Sequence, residues 1–459
     1  MELRHYQLAA LADVRAAFAT GRKRVLLRLP TGGGKTVIAA EMLRVAAERG
    51  HRCVFLAHRR ELIQQASERL GDVHHGVIMA GEPATEAPVQ VASVQTLARR
   101  EPPPCDFLFV DEAHRTLGAS YLRLIEALRP RWLVGLTATP YRTDGRGLGA
   151  VYDALVDGPS TLELTEQGYL VPCDVYAPTA ASMLGASVTG GDYTADELEE
   201  RVNRPAITGD VVATWQQRAA GHRTVVFGVS VAHATALREA FLRAGVTAAV
   251  LTGETPHNER RAMLDALAGG ALQIVTSCAT LTEGWDSPAV SCACVVRPTL
   301  SRGLWRQMVG RVLRTAPGKT RAIVLDHGGN AWRHGHPYAP DPVALDATAT
   351  RWNTDREPPP AVRVCPTCFG VYYRETDTTC PYCGAVAPVR ERKPQERRGE
   401  LERIDWSQAP HHGHDESRAR KAAEALKAKA AERGYAPGWV FMQLRLRYGP
   451  TRAKELMSA

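Results

Sequence analysis

The stretch Leu29-Pro-Thr-Gly-Gly-Gly-Lys-Thr36 sets the reading of the whole chain. An apolar run over residues 25–29 precedes it, and a helical pattern with Ile38, Met42 and Val45 on one face follows. Strand, glycine loop and helix in that order form the context of a phosphate-binding loop. Thr31, Gly32, Gly33 and Gly34 would let the backbone wrap an anion with several N–H groups pointing inward, and the new helix adds its positive end. Lys35 would meet the outer phosphates of a nucleoside triphosphate as a point charge, and the Thr36 hydroxyl would ligate Mg²⁺. Leu29 stands where the G-x4-GK[ST] form of such loops has its first glycine. A GGGK turn alone is more often an ordinary connection, so the assignment depends on its surroundings.

Upstream, residues 4–20 read as a helix, with Leu8, Leu11, Val14 and Phe18 at helical spacing. Arg4 and Gln7 flank an aromatic at its start. An amide both donates and accepts, so this pair could read a purine edge, although helix starts often carry such residues. Downstream, strand and helix alternate. Cys53-Val-Phe-Leu-Ala57 reads as a strand, followed by a helix over 58–69 entered through His58-Arg-Arg60. Residues 89–93 form another strand, with Gln95-Thr96 beyond it. Phe107-Leu-Phe-Val110 ends in Asp111-Glu-Ala-His114, and the strand over 132–136 ends in Thr137-Ala-Thr-Pro140. Such apolar runs predict a parallel sheet covered on both faces, with ligand residues at the carboxyl ends of its strands. There Asp111 could hold Mg²⁺ through water, and Glu112 could orient or deprotonate the water that attacks a γ-phosphate. A capping role is the commoner fate of an acidic pair. The apolar strand before it and the loop upstream favour the catalytic one.

A second series begins near Leu170. Residues 182–204, richer in Gly, Thr and acidic side chains, form an excursion before a helix over 207–218. Strands follow at 224–227, 248–251, 272–277, 290–296 and 321–325. Between the last two lies a helix in which Gln307, Arg311 and Arg314, spaced by four and three, share one face. That face could bridge to another domain and present positive charge to a phosphate. Gly310 is costly inside a helix without a reason such as close approach.

A chain of 459 residues with 44% hydrophobic and 23% charged residues has the size of several globular domains. It contains no apolar run long enough to cross a bilayer and no signal core behind its first residues, so no membrane partner and a cytoplasmic location are expected. Ten cysteines then serve as thiols or metal ligands. Six are scattered and read as core residues; four are clustered. The net charge is +8, and residues 390–459 hold 16 Lys and Arg against 10 Asp and Glu. A basic tail suggests a polyanionic partner, nucleic acid being the simplest, though a solvated tail would look the same.

Taken together, Leu3-Arg-His-Tyr-Gln7, the glycine loop, the Asp111-Glu-Ala-His114 box, Thr137-Ala-Thr-Pro140, Glu283-Gly-Trp-Asp286 and Gln307-Met-Val-Gly-Arg-Val-Leu-Arg314 resemble, in order and spacing, the motifs of superfamily 2 helicases. The resemblance covers roughly the first 330 residues. It implies two RecA-like parallel-sheet domains, over 1–160 and 161–345, with ATP between them and nucleic acid across both. Gln7 would read adenine with Arg4 in support; Lys35, Thr36, Asp111 and Glu112 would serve phosphate, Mg²⁺ and water. Thr137 and Thr139, beside His114 of the box, would couple nucleotide state to movement. Gly284 and Asp286 would border both ligands. Gln307 opens the motif whose Arg311 and Arg314 look like arginine fingers. Arg59, Thr96 and Ser277 fall in motifs that touch the nucleic-acid backbone. The DEAH box, the Thr at 137 and the form of the last motif tilt the reading toward DNA rather than RNA.

Cys365-Pro-Thr-Cys368 and Cys380-Pro-Tyr-Cys-Gly384 can aim four thiolates at one tetrahedral Zn²⁺. An iron–sulfur cluster or a redox pair is the alternative; Pro and Gly at the knuckles favour a structural zinc ribbon, within 346–389. Glu357-Pro-Pro-Pro360 marks a stiff linker before it. Residues 390–414 read as a flexible basic linker, whose His411-His-Gly-His414 could bind a metal. Residues 415–459 form a small helical C-terminal module. Core, ribbon and Gly-Tyr-x-Pro-Gly-Trp end look like the RadD-type bacterial repair helicases and phage relatives. The expected activity is that of an ATP- and Mg²⁺-dependent DNA helicase or translocase on single-stranded or branched DNA, with repair or recombination proteins as partners. A duplex translocase without strand separation and a binding or annealing protein with vestigial ATPase are the rivals. A chain ending near Asp355 is expected to fold, and Trp439 with Phe441 to form an exposed aromatic pair on the tail.

Overall fold

The computed structural model describes residues 3–83, 85–141, 147–177, 188–189, 192–193, 205–278, 280–281, 285, 287–339, 345, 362–365, 367–373 and 379–386, with short helical pieces between 423 and 457. The first lobe is built on β1 (Arg24–Arg28), β2 (Cys53–Ala57), β3 (His75–Ile78), β4 (Val89–Ser93), β5 (Phe107–Asp111), β6 (Trp132–Thr137) and β7 (Ala154–Asp157). These run parallel in the order β3-β4-β2-β5-β6-β1-β7. Alternation sends Val25, Leu27 and Phe55 to one face, and Leu26, Val54 and Leu56 to the other. The first face packs on α1 (His5–Ala19), α2 (Lys35–Glu48) and α3 (Arg60–Leu70); the second packs on α4 (Val94–Leu97) and α5 (Ala119–Leu128). Burial on both faces is why these strands read as continuous apolar runs.

The second lobe repeats the plan. It contains α6 (Thr161–Glu166), β8 (Cys173–Tyr176), a hairpin of β9 (Val188–Thr189) and β10 (Asp192–Tyr193), and α7 (Pro205–Arg218). Then come β11 (Thr224–Phe227), α8 (Val231–Arg243), β12 (Ala248–Leu251), α9 (His257–Gly269), β13 (Ile274–Ser277), β14 (Cys292–Val295), α10 (Arg302–Gly310), β15 (Ala322–Asp326) and α11 (Asn330–His334). Its six strands are parallel in the order β12-β13-β11-β14-β15-β8. The two lobes are thus parallel sheets, as the alternation predicts, and RecA-like, as the resemblance implies. Among the described residues, no helix is long and apolar enough to cross a membrane.

Several local expectations need correction. Leu8 is exposed, and the buried stripe of α1 is Tyr6, Gln7, Ala10, Leu11 and Val14. On α2 the buried positions are Ile38, Ala39, Leu43 and Ala46, so Met42 and Val45 lie at the margin of the stripe. The helix expected to carry three site residues stops at Gly310: Arg311 is its C-cap and Arg314 lies beyond. The chain turns there because Leu313 O accepts from Val171 N at 2.8 Å and Arg314 bridges to Leu170.

β16 (Val362–Val364) and β17 (Val371–Tyr373) form the antiparallel ribbon. It lies on the outer edge of β8: Gly370 bridges to Tyr176, and Ala177 N donates to Phe369 O at 3.1 Å. Val371 joins the main apolar cluster. A chain ending near Asp355 would therefore uncover β8 and part of that core, contrary to the expectation that it folds intact. Residues 1–388 form one compact unit and 389–459 a second. The second has its own cluster of Ala423, Leu426, Ala430, Val440, Leu444 and Leu456, and Phe441 packs against it instead of standing free. Trp439, His411, His412, His414 and residues 357–360 lie outside the described residues.

Candidate nucleotide site

Loops far apart in the chain meet because β1, β6 and β5 are neighbours, with Arg28 in register with Thr137 and Leu136 with Asp111. Leu29, at the position of the missing glycine, is wholly buried in the core. Gly32 and Gly34 have φ of +87° and +80°, a region that glycine enters without a Cβ penalty. A Cβ on Gly34 would collide with the Gln7 amide, so the loop and the start of α1 fit only as they are. Tyr6 Oη donates to Gly33 O at 3.0 Å, and Gln7 Oε1 accepts from Arg4 N at 3.0 Å. The Arg4 guanidinium lies 4.7 Å over the Tyr169 ring. Gln7 thus lies against the loop, with Arg4 held beside it on the Tyr169 ring.

Thr31 faces α10 across the loop, and Thr36 is half-buried in the first turn of α2. Lys35 Nζ donates to Leu29 O at 3.1 Å and Pro30 O at 3.3 Å. Burial pushes its pKa down; Glu112 and Asp111 pull it back, and Arg311 and Arg314 repel the charge. Burial pushes Asp111 up to about 7, the neighbouring Glu112 adds to this, and Lys35 opposes it. Cations crowded beside a carboxylate reluctant to ionise are what a polyphosphate with a divalent metal would neutralise. Thr36 and Asp111 could hold Mg²⁺, and the loop with Lys35 could hold the phosphates.

Glu112 adopts a left-handed φ of +49°, and its carboxylate lies 3.3 Å from His114 Nδ1. That ring nitrogen is also 3.4 Å from Thr137 Oγ1, which donates to Thr139 O at 2.8 Å. Thr139 in turn rests on α10: a Cβ on Gly303 would lie 3.1 Å from its methyl. The line from the acidic pair to the second lobe is continuous. α10 touches the phosphate loop as well, since a Cβ on Gly310 would lie 2.5 Å from Thr31 Cβ. That is the close approach expected of a glycine so placed. Arg314 packs its side chain against Gly32. Arg311 and Arg314 both donate to Trp285 O, at 2.6 and 3.4 Å. Gln307 is buried and lines a cleft of about 580 Å³ with His58, Gln95, His114 and Thr139.

Of the expected nucleic-acid contacts, Arg59 Nη1 donates across the lobes to Thr280 O at 2.9 Å. Thr96 is half-buried on α4, and Ser277 is fully buried at the end of β13. Gly284 and Asp286 lie outside the described residues. Sequence reading missed the other inter-lobe contacts: the Arg260–Glu61 ion pair and His257 Nε2 at 3.1 Å from Gln64 Oε1. It also missed Tyr169 and the Trp285 carbonyl. Trp285 lies within the motif Glu283-Gly-Trp-Asp286, but a backbone acceptor leaves no trace in residue type.

In the ribbon, the Sγ atoms of Cys365, Cys368, Cys380 and Cys383 all lie within 4.8 Å of one another. Two pairs stand at 3.6 and 3.5 Å, close to the ~3.8 Å edge of a tetrahedron with Zn–S bonds of about 2.3 Å. The donor set fits Zn²⁺.

Fold and site define a two-lobed RecA-like core in which a glycine loop on one lobe meets arginines from the other. A family model described as "Type III restriction enzyme, res subunit" matches residues 1–142, and "Helicase conserved C-terminal domain" matches 206–316. The chain belongs to the superfamily 2 helicases. It is 29% identical over 312 residues to a 51.5 kDa protein of a Lactococcus phage, covering 68% of this chain and 67% of that one. It is 30% identical over 346 residues to a Schizosaccharomyces pombe protein carried under the name of a candidate mitochondrial ATP-dependent helicase, irc3. That match covers 71% of this chain and 57% of the yeast protein, so the chain spans little more than half of it. Among solved structures, a fragment of a candidate HsdR subunit of a type I restriction enzyme from Vibrio vulnificus shares the fold. Its TM-score is 0.57 at 23% identity, over 75% of this chain and 67% of that one.

Proposed function

We infer that the chain is an ATP- and Mg²⁺-dependent motor on DNA, a helicase or translocase of the bacterial or phage cytoplasm that serves repair or recombination. The observation that carries this is the closure of α10 on the phosphate loop, which delivers Arg311 and Arg314 to the lobe holding Lys35. In this reading Lys35 and Thr36 bind phosphate and metal, Asp111 holds Mg²⁺ and Glu112 orients water. Arg4 and Gln7 select adenine. Gln307, Arg311 and Arg314 complete the site, with Gly284 and Asp286 at its border. The line through His114, Thr137 and Thr139 relays occupancy to α10. Arg59 and Thr96 meet the strand by side chain, and the buried Ser277 by the backbone beside it. The ribbon carries one structural Zn²⁺, and its place between motor and helical end supports the RadD-type assignment.

Fold likeness does not choose the nucleic acid. Restriction enzyme LlaBIII bound to DNA matches with TM-score 0.53 at 15% identity, and yeast Dbp5 bound to RNA with 0.51 at 18%. DNA is favoured by the restriction-enzyme family model. Translocation on duplex without strand separation is the second reading. It is supported by 30% identity over 151 residues to the "DNA 3'-5' translocase XPB2" of Sulfurisphaera tokodaii, covering 32% of this chain and 33% of that protein.

Steady-state ATP turnover with single-stranded, duplex and forked DNA and with RNA tests the proposal, Lys35→Ala serving as control. DNA should stimulate turnover well above RNA, and Lys35→Ala should abolish it while still binding DNA. Unwinding of the fork would separate helicase from translocase. Indifference to every DNA, or full turnover in Lys35→Ala, would sink the assignment.

A further inference from the structure

The two knuckles of the ribbon are one turn built twice. After each second cysteine, the next N–H returns to the first cysteine's carbonyl: Phe369 N to Cys365 O and Gly384 N to Cys380 O, both at 2.9 Å. Each first cysteine then donates one residue further on, Cys365 N to Gly370 O at 3.0 Å and Cys380 N to Ala385 O at 2.8 Å. The turn demands a left-handed residue, with φ of +62° at Phe369 and +71° at Gly384. Glycine enters that region freely, whereas a bulky L-residue is strained there. The second knuckle has the glycine and the first has a phenylalanine.

Packing does not explain the exception, because Phe369 is 45% exposed. The fold would be better served by glycine, so the ring is held out for something it meets beyond this part of the chain. Its neighbours suggest what. Tyr382, also exposed, closes over Gly370 and bonds Val371 O at 3.2 Å. The Tyr176 ring stands 6.1 Å from that of Tyr382, and the Arg218 guanidinium lies 5.2 Å over Tyr176. Rings interleaved with a guanidinium suit unstacked bases on a polyanion more than an apolar peptide.

We propose that Phe369 and Tyr382 form a base-stacking platform for single-stranded DNA on the zinc ribbon, outside the two motor lobes. The platform rests on the reading of the chain as a DNA motor and adds a contact to it. The full chain, Phe369→Gly and Phe369→Trp are compared by fluorescence anisotropy on labelled oligo-dT, an abasic strand of the same length, and duplex. Phe369→Gly should weaken binding to oligo-dT about 5- to 100-fold, the loss of one stacked base at ~1.4 kcal/mol per tenfold. Phe369→Trp should retain it, and abasic and duplex affinities should match across all three proteins. Zinc content should stay at one per chain, and the thermal midpoint of Phe369→Gly should equal or exceed that of the parent.

Unchanged oligo-dT affinity in Phe369→Gly would overturn the platform and point to a protein partner instead. An equal loss on the abasic strand would overturn it too, by showing that no base is stacked. If the parent binds no DNA at all, the motor reading fails first; if the parent binds and only the variant is indifferent, the platform alone fails.

Discussion

Arg314 belongs to the second lobe yet lies against Gly32 of the first, and both it and Arg311 are fastened to the Trp285 carbonyl. With Lys35 they crowd three cations beside Asp111 and Glu112. The loop lysine can act whenever nucleotide is bound, but the arginines reach it only while the lobes are closed. Arg314→Ala should therefore lower kcat by roughly 10³–10⁵, the range for such fingers, with a much smaller effect on nucleotide affinity. Stopped-flow binding beside steady-state turnover decides it; lost affinity with intact kcat would make the arginine a binding group only. Sequence reading found these side chains because each sits in a motif whose spacing carries chemistry. It could not find their anchor, since the Trp285 carbonyl is backbone.

α10 is the element through which the lobes communicate, with Gly303 on Thr139 and Gly310 on Thr31. Each glycine leaves room for a threonine of the first lobe. Gly310→Ala adds a methyl 2.5 Å from Thr31 Cβ, which the packed loop cannot absorb without moving α10 away. Turnover should fall by roughly a hundredfold, the scale of a ~1 Å misplacement, while far-ultraviolet dichroism stays that of the parent. Wild-type turnover in that variant would mean the contact is slack. Legibility at this scale was best inside the sheets. β2, β4 and β11 fall where the apolar runs placed them, as does the edge strand β12, and other interior strands shift by a residue or two. In the two main sheets the strands not read, β3, β7 and β8, are all edges, and the short hairpins β9–β10 and β16–β17 were not read either. In β8 the apolar run is broken by Asp174, which is buried and pairs with Arg321 at 3.0 Å. The end of α10 was misread for another reason: Arg311 and Arg314 keep helical spacing, but the Leu170 bridge takes the chain out of the helix.

At the scale of the molecule, the four-cysteine spacing announced the ribbon but not its place. Nothing in a zinc-binding pattern says which surface the ribbon will meet, and here it meets the end of β8 and contributes Val371 to the main core. The C-terminal unit was likewise read as helical from its composition, while the burial of Phe441 came from packing that composition does not encode.

The ribbon's seat on β8 bears on how the protein stays in solution. The far side of β8 is a row of backbone donors and acceptors that another chain could extend by strand addition. The ribbon meets that row at Tyr176 and Ala177, and four thiolates around one Zn²⁺ would hold the ribbon in shape. Stripping the metal should thus do more than loosen a knuckle: it should unmask a template for aggregation at the flank of the second sheet. Light scattering should rise on chelation before ATP turnover falls, and readdition of Zn²⁺ to a freshly stripped sample should halt the growth. A chelated sample that stays clear and monomeric would mean β8 is guarded by something else.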